Sequence, residues 1–420
     1  MRVRPRIVLG QPGNDPSFSL RQILSSTPGL ITVLFSIFYL GLFQYLRHSN
    51  YRDPTSYFFD PSRAYERLYS ADRIQQADEF IESAGLMSPP ATLQQPPTMC
   101  LGIITVKRRK EQYVERTVGS LLEGLDESER NSIYLNLLIG HTEPNEHPIS
   151  SKKWVETLPN KDLRYEEADI PLIQKWEEGG WYRNKSIFDY TYLLRDCYAT
   201  GAQYVVMVED DTLAVRGWYA RALAALKSVE AAMKKRPDGS KWLYLRIFYV
   251  EDLFGWNSEF WLQYLFWSFT IWALVTGSLM YTRIRTRKMQ LLLSNASMVI
   301  ISGVCVPALI GLCFLAGRNS LWPLKPGIQE MNKFGCCSQG YIFPREIIPS
   351  FLEQTNLETD WLVDMMVEDI ADSNGYIRWA IVPSLLQHIG TLSSKGWGFD
   401  NTAKNLWNFQ YELYKRPFPR

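Results

Sequence analysis

The sequence predicts an α/β domain that is interrupted by a helical hairpin in the membrane and preceded by one further transmembrane helix. Strand-like and helix-like segments alternate after residue 99, which is typical of a parallel-dominated sheet of the nucleotide-binding type. Two long uncharged apolar blocks lie between residues 259 and 317, and another lies near the N-terminus. The 46% hydrophobic content is sufficient for a sizeable core, and the net charge of +1 argues against a nucleic-acid binder.

The three apolar blocks have the length of membrane-spanning helices. The first covers residues 29–46 and follows an N-terminal tail, residues 1–28. A signal peptide is the alternative, but the run is long for a signal core and no small-residue cleavage site follows it. Residues 260–281 and 290–316 form the predicted hairpin within residues 259–317, and Pro307 is a candidate kink in its second helix.

Basic residues near the ends of these blocks predict the orientation in the membrane. Four arginines precede the first block and four basic residues link the second and third, namely Arg2, Arg4, Arg6, Arg21, Arg283, Arg285, Arg287 and Lys288. Positive flanks remain in the cytosol, so the N-terminus is predicted to be cytosolic. Residues 47–258 and 318–420 then lie together on the lumenal side.

The cysteines fit an oxidising lumen. Cys100, Cys197, Cys336 and Cys337 fall in the predicted lumenal segments, and the adjacent pair can form either a vicinal disulfide or two separate bridges. Asn184 begins a formal glycosylation sequon, but it falls in a predicted helix and is expected to be unused.

The lumenal chain divides into a stem, residues 47–98, and a domain in two parts, residues 99–258 and 318–420. A predicted helix, Ala71–Ser83, and a proline-rich linker characterise the stem. Predicted strands are residues 100–106, Ile133–Ile139, Leu163–Ala168, Tyr204–Val208, Trp242–Tyr249 and Tyr376–Val382. Predicted helices are Gln112–Glu123, Tyr182–Tyr198, Trp218–Lys235, Ile347–Gln354 and Asp360–Asp372.

The strand Tyr204–Val208 ends in three acids, Glu209, Asp210 and Asp211. Its apolar, β-branched run indicates burial on both faces of a sheet. Ligands bind at the carboxyl edge of such sheets, and clustered carboxylates there can hold a divalent metal against a phosphorylated ligand. A solvated turn after a core strand is the alternative.

Several motifs together resemble a glycosyltransferase of the GT-A fold. They are ITVKR at residues 104–108, VMVEDD at 206–211, Cys336-Cys337, and LQHIG at 386–390 with Ser393 and Ser394. The layout, with a hairpin inside the domain, resembles the Golgi family that adds N-acetylgalactosamine to the mannose of glycosylphosphatidylinositol (GPI) anchors. The blocks TVKR, DWLVD and QHIG also resemble N-acetylglucosaminyltransferase IV of N-glycan branching, which lacks the hairpin.

The resemblance implies a metal-bound nucleotide-sugar donor. Asp211 would bind Mn²⁺ or Mg²⁺ and His388 would complete the site, while Glu209 and Asp210 would face the ribose and the waters of the metal. A lone histidine is more often structural than a ligand, and EDD departs from the usual DXD pattern.

Two further pairs would grip the nucleotide by the same resemblance. Thr105 and Arg108 end the first strand, where the family holds uracil and ribose; the alternative is a strand end with a solvated arginine. Lys185 and Asp189 are one helical turn apart and share a face, which the family places against the nucleotide. A surface ion pair is the alternative.

A carboxylate must deprotonate the acceptor hydroxyl in an inverting transfer. Asp360, Asp364 and Glu368 recur every fourth residue and would share one helix face, whereas Asp369 would point elsewhere. The resemblance assigns the base to Asp364, with Asp360 as a second candidate; the alternative is a solvated acidic face.

The predicted function is inverting, metal-dependent transfer of a sugar from a UDP-sugar, with UDP-N-acetylgalactosamine (UDP-GalNAc) implied, to the mannose of a GPI glycan at the Golgi membrane. Alternatives are an N-glycan branching transferase and a metal phosphodiesterase, which would need more histidine or aspartate ligands. A channel is disfavoured because no span carries an ionisable residue. The residues themselves do not distinguish N-acetylgalactosamine from galactose, glucose or N-acetylglucosamine.

Overall fold

A computed structural model describes residues 26–90, 92–331, 336–358, 361–390 and 406–414 of the chain. They belong to two compact units. The membrane unit comprises Met1–Tyr51, Ser56–Phe58 and Trp256–Leu321, and the sheet unit comprises Arg52–Thr55, Phe59–Gly255 and Trp322–Arg420.

The described residues contain ten strands. They are β1 Met99–Thr105, β2 Ile133–Ile139, β3 Lys161–Leu163, β4 Tyr204–Glu209, β5 Thr212–Ala214, β6 Trp242–Arg246, β7 Gly327–Glu330, β8 Gly340–Pro344, β9 Ile377–Val382 and β10 Leu386–His388. Eight form one sheet in the order β3-β2-β1-β4-β8-β6-β9-β7, while β10 and β5 form an antiparallel pair.

The large sheet is mixed, with parallel strands in the majority. β1 pairs in parallel with both β2 and β4, β2 pairs in parallel with β3, and β6 with β9. β8 is antiparallel to β4 and to β6, and β7 is antiparallel to β9. The chain adds β2 on one side of β1 and β4 on the other, so the strand order reverses between β1 and β4.

The helices of the described residues run in chain order as follows. They are α1 Thr27–Ser49, α2 Pro61–Ala64, α3 Tyr69–Ala84, α4 Val114–Leu122, α5 Glu127–Asn131, α6 Trp154–Thr157, α7 Ile170–Gly179, α8 Tyr182–Ala199, α9 Trp218–Lys234, α10 Trp261–Arg285, α11 Arg287–Leu292, α12 Asn295–Ile300, α13 Val306–Ala316, α14 Arg318–Leu321, α15 Ile348–Glu353 and α16 Val363–Asn374.

Both faces of the sheet are covered, which explains the continuous apolar runs of its strands. Val206 and Val208 of β4 pack in one core with residues of α4 and α9, and Val205 and Met207 pack in the other with residues of α8 and α16. A disulfide between Cys100 of β1 and Cys197 of α8 joins the sheet to the second layer.

Most of the segment between the first span and the sheet, namely Arg52–Thr55 and residues 59–98, is part of the sheet unit. Arg73 of α3 is fully buried and donates to the carbonyl oxygens of Ala214 and Ser120. A Cβ added to Gly119 of α4 would lie 2.6 Å from the carbonyl oxygen of Ala77, so α3 and α4 pack at backbone distance. The helix expected in a stem is therefore part of the core of this unit.

Three predicted elements of the sheet unit differ from the structure by three residues or more at a boundary. The strand expected over Leu163–Ala168 is wrong: β3 is Lys161–Leu163, and the chain then turns, with the Asp169 N–H donating to the Glu166 carbonyl. β6 ends at Arg246, because the next carbonyl, that of Ile247, accepts from the N–H of Leu385. The helix expected from Asp360 begins at Val363; Asp360 itself lies outside the described residues.

Three segments within the described residues are long and apolar enough to span a membrane: Thr27–Ser49, Glu251–Arg285 and Asn295–Ala316. The last begins later than residue 290, since Ser294 caps a new helix by accepting from the Ser297 N–H. A π-helical stretch, Ile301–Cys305, precedes Pro307, where the proline removes one backbone donor from the helix. These helices identify a membrane protein.

Candidate active site

The three acids lie where the strand order of the large sheet reverses. β4 ends at Glu209, Asp210 and Asp211 follow it, and the neighbouring β1 ends at Thr105. The hydroxyl of Thr117 on α4 donates to the carbonyl oxygens of Asp210 and Thr212, which fixes the backbone of the acidic turn. A crevice at the carboxyl ends of strands on either side of such a reversal is the usual ligand site of an open α/β sheet.

Arg108 neutralises two of the acids. Its guanidinium is buried, forms an ion pair with Asp210, and lies 3.1 Å from Asp211 Oδ2. The Thr105 hydroxyl donates to Asp210 at 2.7 Å, and His147 Nε2 lies 3.2 Å from the same hydroxyl. Nδ1 of His147 accepts from the Ile149 N–H, so the ring proton belongs on Nε2, facing Thr105.

A two-stranded pairing brings His388 to Asp211. His388 of β10 pairs with Thr212 of β5, and the Ile389 N–H donates to the Asp211 carbonyl at 2.9 Å. His388 Nε2 then lies 3.4 Å from Asp211 Oδ2. Burial opposes ionisation of both groups, but their mutual attraction lowers the pKa of Asp211 and raises the pKa of His388.

One oxygen of Asp211 has no protein partner among the described residues. Oδ1 is buried without a hydrogen bond, while Oδ2 faces Arg108 and His388. The backbone of Gly390 also crowds this carboxylate, because a Cβ added there would lie 2.3 Å from Oδ2. A buried, unpaired carboxylate oxygen beside an imidazole is a donor set that fits a divalent cation.

Glu209 differs electrostatically from Asp211. It accepts a hydrogen bond from the Ser338 hydroxyl, and its N–H donates to the Gln339 carbonyl at 3.2 Å. Burial, together with the charge of Asp211, raises the pKa of Glu209 to about 7. The carboxylates of the acidic turn therefore do not share one protonation behaviour.

Lys185 and Asp189 form a second polar cluster, at the carboxyl end of β2. Both lie on α8, and Lys185 Nζ is 2.7 Å from Asp189 Oδ2 and 2.8 Å from the Gly140 carbonyl oxygen. The Tyr165 hydroxyl donates to Asp189 Oδ1 at 2.7 Å. The pair is buried and hydrogen-bonded, so the surface ion pair considered from the sequence is wrong.

Asp364 lies in the first turn of α16, where a carboxylate is favoured by the helix dipole. Its Oδ2 accepts from the Cys337 N–H at 3.1 Å. Cys336 and Cys337 form the vicinal disulfide, one of the two arrangements open from the sequence. Their sulfurs lie close to Asp364, but as a disulfide they have no thiolate for a metal.

The α16 carboxylates do not form one solvated face. Glu368 is buried and forms ion pairs with Arg246 and Arg378, whereas Asp369 is exposed. Asp360, Ser393 and Ser394 lie outside the described residues.

The predicted site residues thus fall into three groups. The first contains Thr105, Arg108, Glu209, Asp210, Asp211 and His388; the second contains Lys185 and Asp189; the third is Asp364, which is linked to Glu209 through residues 337 and 338. Sequence reasoning missed Thr117, His147, Tyr165, Arg246 and Ser338. Only Ser338 carried a signal, since it directly follows the cysteine pair; the others reach the site through the fold alone.

Comparison with known protein families places this geometry in context. No curated protein sequence matches the chain significantly. The family model described as GPI-N-acetylgalactosamine transferase PGAP4 matches residues 99–387, which include both parts of the sheet unit and the hairpin between them. This match covers well over half of the sequence, so the chain is a glycosyltransferase and belongs to the GPI-N-acetylgalactosamine transferase PGAP4 family.

Proposed function

We propose that the chain transfers N-acetylgalactosamine from UDP-GalNAc to the mannose of a GPI glycan, with inversion and with a divalent metal, at the Golgi membrane. Family membership supports the sugar and the GPI acceptor. The acids at the strand reversal of a mixed sheet support a GT-A type donor site. Basic residues before the first span and between the hairpin helices support a cytosolic N-terminus and a lumenal sheet unit.

The observation that carries the metal proposal is the unpaired Oδ1 of Asp211. This oxygen is buried, and the other oxygen of the same carboxylate lies beside His388. The two side chains would supply a carboxylate and an imidazole to Mn²⁺, and the carboxylate is also a ligand that suits Mg²⁺. When bound, the ion would supply positive charge to the departing diphosphate.

The remaining donor-site residues supply charge and hydrogen bonds at fixed positions. Arg108 is a permanent cation beside the acids and can pass from Asp210 to a phosphate oxygen. Lys185 and Asp189 are held together under the end of β2, where Lys185 donates to Gly140, Tyr165 and Asp189, and they would line the nucleotide site. Thr105 donates to Asp210 and so orients one of the two acids that would face the ribose and the waters of the metal.

Asp364 is proposed to be the general base. Its carboxylate is half-buried, so it can be reached by an acceptor, and the Cys337 N–H fixes one of its oxygens. The mannose hydroxyl oxygen would bond to the anomeric carbon, the bond from that carbon to the diphosphate would break, and the hydroxyl proton would pass to Asp364. UDP leaves on the opposite face, which gives inversion.

The proposal is tested by metal removal and by substitution at Asp211. The Asp211→Ala protein should lose transfer by a factor on the order of 10³ or more, since it lacks the carboxylate that binds the ion. His388→Ala should lose less and should need more Mn²⁺. The assay is release of UDP from a panel of UDP-sugars, with a GPI glycan or an N-glycan as acceptor. It measures the rate of transfer, the Mn²⁺ requirement, and the preference for donor and acceptor.

Asp238→Ala is the control, because this exposed aspartate lies in a turn between α9 and β6. It should keep normal activity and normal Mn²⁺ dependence. Full activity of Asp211→Ala in the presence of a chelator would contradict the metal proposal. Transfer to the N-glycan in preference to the GPI glycan would instead support a branching enzyme.

A further inference from the structure

Arg246 is a fully buried arginine that lies beneath the turn formed by residues 336–338, here called the Cys-Cys-Ser turn. It is the last residue of β6, next to β8. One guanidinium nitrogen, Nη1, donates to the carbonyl oxygens of both Cys336 and Cys337, the second at 2.8 Å. One side chain therefore satisfies two successive backbone acceptors of this turn.

The same arginine also fastens the helix that carries Asp364. Its Nη2 donates to Glu368 Oε1 at 2.7 Å and to the Tyr341 hydroxyl at 2.9 Å. Glu368 is four residues after Asp364 on α16, one helical turn away. Arg246 thus contacts, from inside the protein, both structures that meet at Asp364: the turn and the helix.

The Cys-Cys-Ser turn in addition reaches the donor site. The Cys337 N–H donates to Asp364, and the hydroxyl of the next residue, Ser338, donates to Glu209. The carbonyl of the following residue, Gln339, accepts from the Glu209 N–H. A shift of the turn would consequently change the position of Asp364 relative to the acids that follow β4.

We propose that Arg246 is a positioning residue: by clamping the Cys-Cys-Ser turn and Glu368 together, it sets the place of Asp364 relative to the donor site. This inference rests on the proposed function of Asp364 as the base. The simpler alternative is that Arg246 only neutralises Glu368. Arg378 already supplies a second cation there, with its Nε 3.0 Å from Glu368 Oε2, and stability alone is often served better by apolar residues than by a buried ion pair.

The planar fork of arginine is what this geometry uses. One nitrogen of Arg246 donates to two carbonyl oxygens and another donates to a carboxylate. The Cζ atom of Arg246 lies 5.2 Å from the ring centroid of Tyr244 and 4.9 Å from that of Tyr341, and these contacts hold the plane of the guanidinium. Lysine offers the same charge from a single point and cannot reach both sides at once. Arg246→Lys therefore retains the charge and removes the clamp.

The test is the steady-state kinetics of Arg246→Lys in the full-length protein, with UDP-GalNAc, Mn²⁺ and a GPI glycan. We expect kcat per folded molecule to fall by roughly 10–100-fold, since a misplacement near 1 Å costs about that much, while KM for UDP-GalNAc changes less than about twofold. Arg345→Lys is the matched control: Arg345 also donates to a backbone carbonyl, that of Tyr198 at 2.6 Å, but at the opposite end of β8. Its kcat should be unchanged.

A double variant separates positioning from simple support of the fold. In an Asp364→Asn background, Arg246→Lys should lower the remaining turnover little further, because its effect passes through Asp364. An equal fractional loss in both backgrounds, or a wild-type kcat for Arg246→Lys, would overturn the inference. If Arg246→Lys does not fold, Glu368→Gln, which weakens the helix side of the clamp, carries the same two expectations.

Failure of the underlying function has a different signature. If Asp364→Asn alone retains full kcat, the assignment of the base is wrong, whatever Arg246→Lys does. If Asp364→Asn has a lowered kcat and Arg246→Lys has the same kcat as Arg345→Lys, Asp364 is still supported as the base but Arg246 does not position it.

Discussion

A methyl group added at Gly390 should disable the site without dismantling the fold. The new Cβ would lie 2.3 Å from Asp211 Oδ2 and 2.8 Å from its Cγ, whereas carbon and oxygen normally approach no closer than about 3.3 Å. Asp211 cannot easily turn aside, because Arg108 and His388 hold the same oxygen. Relief of the clash therefore requires a displacement of about 1 Å in the acidic turn or in the loop of Gly390.

A displacement of that size predicts a fall in kcat/KM of about 100-fold, equivalent to about 2.7 kcal/mol of transition-state stabilisation. Overpacking should cost only about 1–3 kcal/mol of folding free energy, so Gly390→Ala should remain folded. The assay is UDP release as a function of Mn²⁺ concentration, alongside thermal unfolding, and a higher Mn²⁺ requirement is expected.

Gly85→Ala provides the control for the added methyl group. The three atoms nearest to its Cβ would belong to the side chain of Lys153, the closest being Cβ at 3.3 Å, and none of them belongs to the acids. Normal kcat/KM and normal Mn²⁺ dependence for Gly390→Ala would refute the reasoning, since they would mean that the position of Asp211 is not critical or that the Gly390 loop does not contact it.

Three further predictions follow from other parts of the chain. Asp364→Asn should leave UDP-sugar binding intact and lower turnover by a factor on the order of 100 or more, while the exposed Asp369→Asn should do much less; the reverse order of turnover numbers would exclude Asp364 as the base. Gly119→Ala should lower the free energy of unfolding by about 1–3 kcal/mol relative to Gly85→Ala, because the new Cβ would meet a backbone carbonyl of α3. An unchanged melting temperature would show that α3 does not pack against Gly119. Replacing residues 260–316 by a flexible linker should impair transfer to a lipid-anchored GPI glycan more than transfer to a soluble fragment, and equal losses would mean that the hairpin only braces the fold.

Much of the fold was predictable because burial on both sides of a sheet leaves a strong mark in the sequence. The strand from Tyr204 is uninterrupted and apolar, and it is buried on both faces of the sheet, as predicted. β3 was misplaced because an edge strand of three residues has little apolar pattern of its own, and its register is set by pairing with β2. Helix boundaries shifted where a cap, such as Ser294, interrupts an otherwise continuous apolar run.

The candidate site was predictable only where strand ends and motifs marked it. The acids after β4 and the proximity of Lys185 to Asp189 followed from local spacing. Arg246 carried no such mark, because an arginine at the end of an apolar strand is indistinguishable in sequence from a solvated one. Its burial is dictated by contacts with the Cys-Cys-Ser turn and with Glu368, which come from segments beyond the hairpin.

The order of the strands makes the sheet depend on residues from both sides of the hairpin. β8 follows the hairpin in sequence but pairs with β4 and β6, both of which precede it. The chain before the hairpin and the chain after it therefore contribute to one sheet, within the unit that contains Phe59–Gly255 and Trp322–Arg420. The residues before the hairpin also lack the central β8, the Cys-Cys-Ser turn, Asp364 and His388. The donor acids precede the insertion and the proposed base follows it, so the two can form a site only when the residues after the insertion have completed the sheet.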